Sequence, residues 1–138
     1  MDLVDPTSVV QSPERLTSIF GGWPSFHDAE VMELSLMRGD VDPDRGRYDF
    51  PILTASFLLV ESISAQVILR FTDVSDLKLS DFNHCNQIIE LSFAVQDRGS
   101  FMDGSALPPY VIVEFKGGFG ISAKFRCFGV EVVEATRI

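Results

Sequence analysis

Reactive side chains are scarce in this chain. Its 138 residues include only two histidines, two cysteines, two tyrosines and one tryptophan. Cys85 and Cys127 lie far apart with no CxxC spacing, which excludes a redox pair or zinc site built on that motif. The two histidines do not stand at the spacing of a preformed metal site, and no Gly-rich loop opens a helix to hold phosphate. Positive charge is also short: Lys and Arg total 11 against 20 Asp and Glu, a net charge of -9. Such a field repels phosphate backbones and excludes sequence-independent binding to nucleic acid. No apolar run suits a bilayer, because the most apolar stretch, residues 50–60, is short and interrupted by Thr54 and Ser56. Residues 1–6 carry neither the basic region nor the apolar stretch of a secretory signal, so a cytoplasmic protein with free thiols is expected. Neither a metal, a cofactor nor a membrane partner is expected.

What the chain does have is phenylalanine and alternation. Apolar residues make up 46% of it, and 12 are Phe. Phe has no polar tip to place at a wet surface, so this bias points to a dry interior rather than an aromatic binding platform. The length fits one domain over residues 1–138, with residues 1–12 expected to drape loosely over it. Ser12 before Pro13 reads as the cap of a short helix over residues 13–20, stopped by Gly21 and Gly22 and not resumed at Pro24. Period-two patterns follow. Met32, Leu34 and Leu36 alternate with Glu33 and Ser35, and residues 50–61 are apolar on both parities, as in a strand covered on both faces. Residues 65–72 and 89–96 alternate in the same way. The runs 111–115 and 121–127 flank Gly117 and Gly118, a pair that reads as a two-residue hairpin turn. Apolar parity then flips to Phe128, Val130 and Val132, the pattern left by a β-bulge near Gly129. The expectation is an α+β, mostly β domain with one short N-terminal helix. Its sheet should be largely antiparallel and strongly curved, with about six or seven strands.

Two segments hold most of the remaining chemistry. Residues 20–30 read FGGWPSFHDAE, where three aromatics bracket a Gly-Gly pair and a proline beside His27 and Asp28. A His-Asp pair supplies two ligands in metal-dependent phosphohydrolases, but the further ligands such a site needs are not in evidence here. Residues 81–86 read DFNHCN, whose Asp and Asn side chains suit a turn that bonds its own backbone amides. Cys85 and His84 are adjacent, and adjacent residues of an extended segment point to opposite faces, which works against a thiol-imidazole pair. Three arrangements stay open: a small metal-dependent hydrolase, a small-ligand-binding module, or a purely structural corner. The first two would use His27, Asp28, Asn83 and His84. In the third, the two segments bond one another and tie the first strand to the centre of the domain.

Residues 20–30 resemble the FGxWPSFHDAEV signature of the immunity protein 50 family of bacterial polymorphic toxin systems. The likeness continues through LRFTDV at 69–74, FNHCN at 82–86 and FGISAKFRC at 119–127, so it spans nearly the whole chain. The family shows FNHQN where this chain has FNHCN at 82–86, and Cys85 stands where glutamine is usual. The resemblance implies a small β-rich protein, not an enzyme and with no catalytic residues, that binds and neutralises a cognate toxin domain by covering it. The signature residues Phe20, Gly21, Trp23, Pro24, Phe26, His27, Asp28, Phe82, Asn83 and Asn86 are then expected to serve the fold. Most are types that set packing and backbone geometry, and Trp23 and Phe26 should be mostly buried. Partner contacts are expected on polar, turn-rich loops: at Asp40, Asp42 and Asp44 within residues 40–49, and at Asp97 and Asp103 within residues 97–109. The negative charge suits a basic toxin.

Overall fold

Alternating Val, Ile, Leu and Phe against polar residues drive most of this chain into strands that bury one face. The computed structural model describes residues 2–138. In chain order the elements are β1 (Val10–Gln11), α1 (Glu14–Phe20), β2 (Glu30–Met37), β3 (Val41–Asp42), β4 (Arg47–Tyr48), β5 (Ile52–Val60), β6 (Ser64–Thr72), β7 (Ser75–Ser80), β8 (Ile88–Gln96), β9 (Tyr110–Gly117), β10 (Ser122–Cys127) and β11 (Gly129–Arg137). The protein is mostly β with one helix, as the alternation indicates. It does not form the single, strongly curved sheet expected. The strands divide into a five-stranded sheet ordered β1-β11-β6-β5-β2, a four-stranded sheet ordered β7-β10-β9-β8, and a separate β3-β4 pair. Neighbours are antiparallel except β1, which runs parallel to β11.

The two larger sheets meet across a phenylalanine core. Phe57 on β5 lies edge-on to Phe115 on β9 with ring centroids 5.4 Å apart, and Phe71 on β6 lies edge-on to Phe125 on β10 at 5.0 Å. This is the geometry the ring quadrupoles favour. The split into two sheets has a local cause. β10 runs on into β11 through Phe128, leaving one sheet for the other, and β6 runs on into β7 through Asp73, whose φ is 56°. The two crossings lie side by side, with the Phe128 N–H donating to the Thr72 carbonyl at 3.0 Å. The parity flip at Phe128 is therefore a chain changing sheets, not a bulge at Gly129. Cys127 and Val130 are both buried, each in its own sheet.

Two further expectations are corrected. Gly117 and Gly118 do not form a two-residue turn: Gly117 stays paired with Ile88, and the Gly118 N–H donates to the Gln87 carbonyl at 3.3 Å. A Cβ on Gly117 would meet the Ile121 carbonyl and lie 2.6 Å from Ser122 Oγ, so close chain approach rather than positive φ requires glycine there. Within residues 2–11 the N-terminal segment is also not loosely draped. Leu3 bridges Ala94 on the edge of one sheet, while Val10 pairs with Val130 in the other and is buried. Next, α1 lies on β11, where Arg15 Nη1 donates to the Val132 and Val133 carbonyls at 3.1 and 2.9 Å. The helix starts without a side-chain cap from Ser12 and ends at Gly21, in the left-handed conformation with φ 78°.

Both thiols are free, with Cys127 buried and Cys85 half-buried. Burial pushes the Cys127 thiol up to about 12. An unfolded thiol ionises near 8.5, so above that pH the unfolded chain holds fewer protons than the folded one, and stability falls as pH rises. Between about pH 8.5 and 10, wild type should lose roughly 2 kcal/mol relative to a Cys127→Ala variant. Urea titrations across that range check it, and equal slopes for the two proteins would show that Cys127 ionises freely in the fold. At pH 8 an aromatic disulfide reagent should modify Cys85 and leave Cys127 untouched until the protein unfolds.

Candidate functional site

The two unusual sequence segments converge on one corner. Leaving α1, the chain exposes Gly21 and Gly22, half-buries Trp23, and buries Pro24 and Phe26. The Phe26 ring lies 5.2 Å from Phe57 and 5.7 Å from Trp23, whose own ring is 6.3 Å from Phe93. Trp23 is thus less buried than expected, and Phe26 is the anchor. Asp28 follows at φ 65°, a conformation that Asp tolerates better than most residues. Its N–H donates to the Ile88 carbonyl at 2.8 Å, the Ile88 N–H donates back to Ala29 at 3.0 Å, and the Val31 N–H donates to Asn86 at 3.0 Å. The first residues of β2 thereby pair with the start of β8 and join the two sheets at one end.

Asn86 is the centre of this corner and is only 3% exposed. Its Oδ1 accepts from the backbone N–H of Asn83 at 2.8 Å and of Ile121 at 3.3 Å, while its Nδ2 donates to the Asn83 carbonyl at 2.6 Å. Its own N–H donates to the Glu30 carboxylate at 2.8 Å. The Asn83 side chain bonds the Cys85 N–H at 2.9 Å. Gly120 closes the corner from the third segment, since a Cβ there would meet the Cys85 carbonyl and Asn86 Oδ1. No buried side-chain polar atom among the described residues lacks a partner.

The imidazoles take little part. His27 is exposed, its Nδ1 lies 3.0 Å from the Ile89 carbonyl and its Nε2 is 3.6 Å from Asp28 Oδ2. A carbonyl only accepts, so Nδ1 carries the proton. His84 and Phe82 are exposed on the same turn, and Phe20 is half-buried. Among the described residues no three His, Cys, Asp or Glu are grouped so as to hold a metal ion. The segments meet through backbone, Asn86 and Glu30 rather than through His27 and His84.

The acidic segments lie at the other end of the strands. Along β8 the corner begins at Ile88 and the opposite end is reached at Gln96, about 26 Å away. Residues 40–49 form the β3-β4 hairpin, with Asp40 and Asp44 exposed and Asp42 half-buried. Asp42 caps its own turn, accepting from the Arg45 N–H at 3.3 Å. Residues 97–109 form a projecting loop with Asp97 and Asp103 exposed. Its tip is set by the Phe101 N–H donating to Ser105 at 2.7 Å and by Asp103 accepting from the N–H and hydroxyl of Ser105. Those two bonds hold the Asp103 carboxyl below the usual carboxylate range.

Between the bases of these segments runs a groove of about 620 Å³, lined by Phe50 from the hairpin side and by Arg98, Pro108 and Pro109 from the loop side. Tyr110 and Phe128 form its wall, stacked at 5.1 Å and 24°. Reading the sequence did not find this groove, because its lining comes from residues that become neighbours only when the sheets cross. The one available signal is compositional: Tyr110 is one of just two tyrosines, and it follows a Pro-Pro pair.

No helix among the described residues is long and apolar enough to cross a membrane. No curated protein and no solved structure matches the chain. A family model for Immunity protein 50 does match, over residues 12–137, a span that takes in the corner, both acidic segments and every residue lining the groove between them except Val9. The chain belongs to the immunity protein 50 family.

Proposed function

We propose that this protein binds a cognate toxin domain in the cytoplasm and neutralises it by direct occlusion, without catalysing a reaction. The observation that carries the reading is the division of the molecule into two ends. Two of the family-like segments, residues 20–30 and 82–86, form a corner whose buried polar groups satisfy one another, which leaves no open ligand set there. The aspartates sit at the far end on two projecting segments that flank a groove. An interface of standard size, about 1,600 Å² in total, would cover this end and a toxin's active site together. The excess of carboxylates favours a basic toxin, and exposed aspartates would act mainly by speeding encounter.

The test takes a candidate toxin domain encoded by a neighbouring gene. Co-expression with wild type should rescue growth and yield a complex; if neither happens, the immunity reading fails for that pair. Asp40→Lys, Asp44→Lys and Asp97→Lys are then combined in one variant. Asp42 and Asp103 are left in place because each holds its own turn. The triple variant should melt as wild type does and associate about tenfold more slowly at low salt, with the gap closing at high salt. Unchanged association would move the binding surface away from these segments.

A further inference from the structure

The lining of the groove holds one arginine, Arg98, and one aspartate, Asp73, so it is neutral in a protein whose net charge is -9. Arg98 lies over both rings of its wall, 4.7 Å from the Tyr110 centroid and 5.0 Å from that of Phe128. Arg126 approaches Tyr110 as well, at 4.6 Å. The five ion pairs of the described residues involve His27, Arg45, Arg47, Arg70 and Lys78, so neither Arg98 nor Arg126, which lies outside the groove's lining, has a carboxylate partner. Asp73 lines the groove without pairing to either. The hydrogen bonds they do make go to neutral groups: Arg98 Nη1 donates to the Pro108 carbonyl at 3.1 Å, and Arg126 Nε donates to Ser75 Oγ at 2.9 Å. A guanidinium has five N–H donors, so most of each fork is left over. Stacking on the rings holds both planes still, which reduces the entropy lost when a carboxylate is gripped.

We infer that the groove seats an extended acidic-hydrophobic segment of the toxin polypeptide. An apolar side chain packs against Phe50, Tyr110 and Pro109 while a neighbouring Asp or Glu takes the free donors of Arg98. The volume lies in the range of sites that enclose a few side chains. The charge complementarity is local and opposite in sign to that of the flanking aspartates. A basic toxin surface thus meets the loops while one acidic residue of the toxin fixes the register in the groove. This rests on the immunity reading for the identity of the partner, but the chemistry of the groove can be tested without the toxin.

Amide resonances are followed while acetyl-Phe-Glu-amide, and separately acetyl-Phe-Gln-amide, is titrated into the full chain. The Glu peptide should shift Val95, Arg98 and Val111 at millimolar concentration and bind at least about threefold more tightly than the Gln peptide. That preference should vanish in Arg98→Gln, a variant that should keep the wild-type melting temperature. No shift at the groove, or equal affinity for the two peptides, overturns the inference. In the complex with the toxin domain, Arg98→Glu should weaken binding about tenfold or more, the loss expected for one charge-assisted hydrogen bond. Phe119→Ala, exposed at the other end, should leave affinity unchanged. If Phe119→Ala weakens the complex and Arg98→Glu does not, the groove is not the toxin's seat. Should wild type fail to bind that toxin at all, the immunity reading fails for the pair while the peptide titrations still decide the groove.

Discussion

Phe26→Ala is expected to destabilise the protein by about 3–5 kcal/mol, the range for truncating a buried aromatic. Phe26 is 3% exposed and stands at the head of a chain of rings running through Phe57 and Phe115 to Phe71 and Phe125. Two costs combine. The transfer free energy of a benzyl group is lost, and the cavity left behind cannot collapse, because strands of both sheets and the Pro24 turn hold its walls apart. Trp23→Ala should cost less, about 2–3 kcal/mol, since that ring is only half-buried and solvent can fill part of its place. Urea denaturation with an unchanged m-value checks both. A Phe26→Ala loss below about 1 kcal/mol, or a larger loss for Trp23→Ala, would mean that the corner is anchored through tryptophan instead.

Much of this architecture is legible in the sequence because burial on one face writes itself as alternation. Strands β6, β8, β9 and β10 stand where Phe71, Phe93, Phe115 and Phe125 alternate with polar residues, β5 stands in the run that is apolar on both parities around Phe57, and all five rings are fully buried. β7 is not legible. Its residues, SDLKLS, have one face exposed and even Leu77 only half-buried, so an edge strand of this composition looks like a loop. The division into two sheets is hidden for a different reason. A chain that leaves one sheet for another at Phe128 produces the same parity flip as a bulge, and only long-range pairing separates the two. The groove was the least accessible feature, because Arg98, Tyr110 and Phe128 acquire a joint meaning only after both crossings are made. Six of the 12 phenylalanines fill the interior as expected, but Phe50, Phe82, Phe101 and Phe119 are exposed, and Phe128 forms an aromatic wall with one of the two tyrosines.

Asn86 offers the sharpest probe of the corner, because its two substitutions separate packing from hydrogen bonding. Asn86→Ala removes the acceptor for the Asn83 and Ile121 N–H groups and the donor to the Asn83 carbonyl. Asn83 is exposed and water can replace its lost bonds, but Ile121 is fully buried and its N–H is left without a partner. One orphaned buried donor costs about 1–3 kcal/mol, and the small cavity adds to it, so a loss of about 3 kcal/mol is expected. Asn86→Asp keeps the shape and the Oδ1 acceptor. It places a carboxylate oxygen against the Asn83 carbonyl where an N–H donor stood, and brings a second carboxylate close to Glu30. Both effects, with burial, disfavour the charged form, so the folded-state pKa of this Asp must lie above its unfolded value near 3.9. The sign follows from linkage. Below that value both states are protonated, a protonated carboxyl can donate to the Asn83 carbonyl, and little is lost. As pH rises through the interval between the two values, the unfolded chain releases its proton first and the folded state is penalised. Measured against wild type at each pH, Asn86→Asp should therefore be nearly as stable at pH 3.5 and lose at least about 3 kcal/mol by pH 7. Asn86→Ala should show the same loss at both pH values. If the Asp variant is insensitive to pH, Asn86 does not donate at the corner, and its role reduces to the acceptor shared by Asn83 and Ile121.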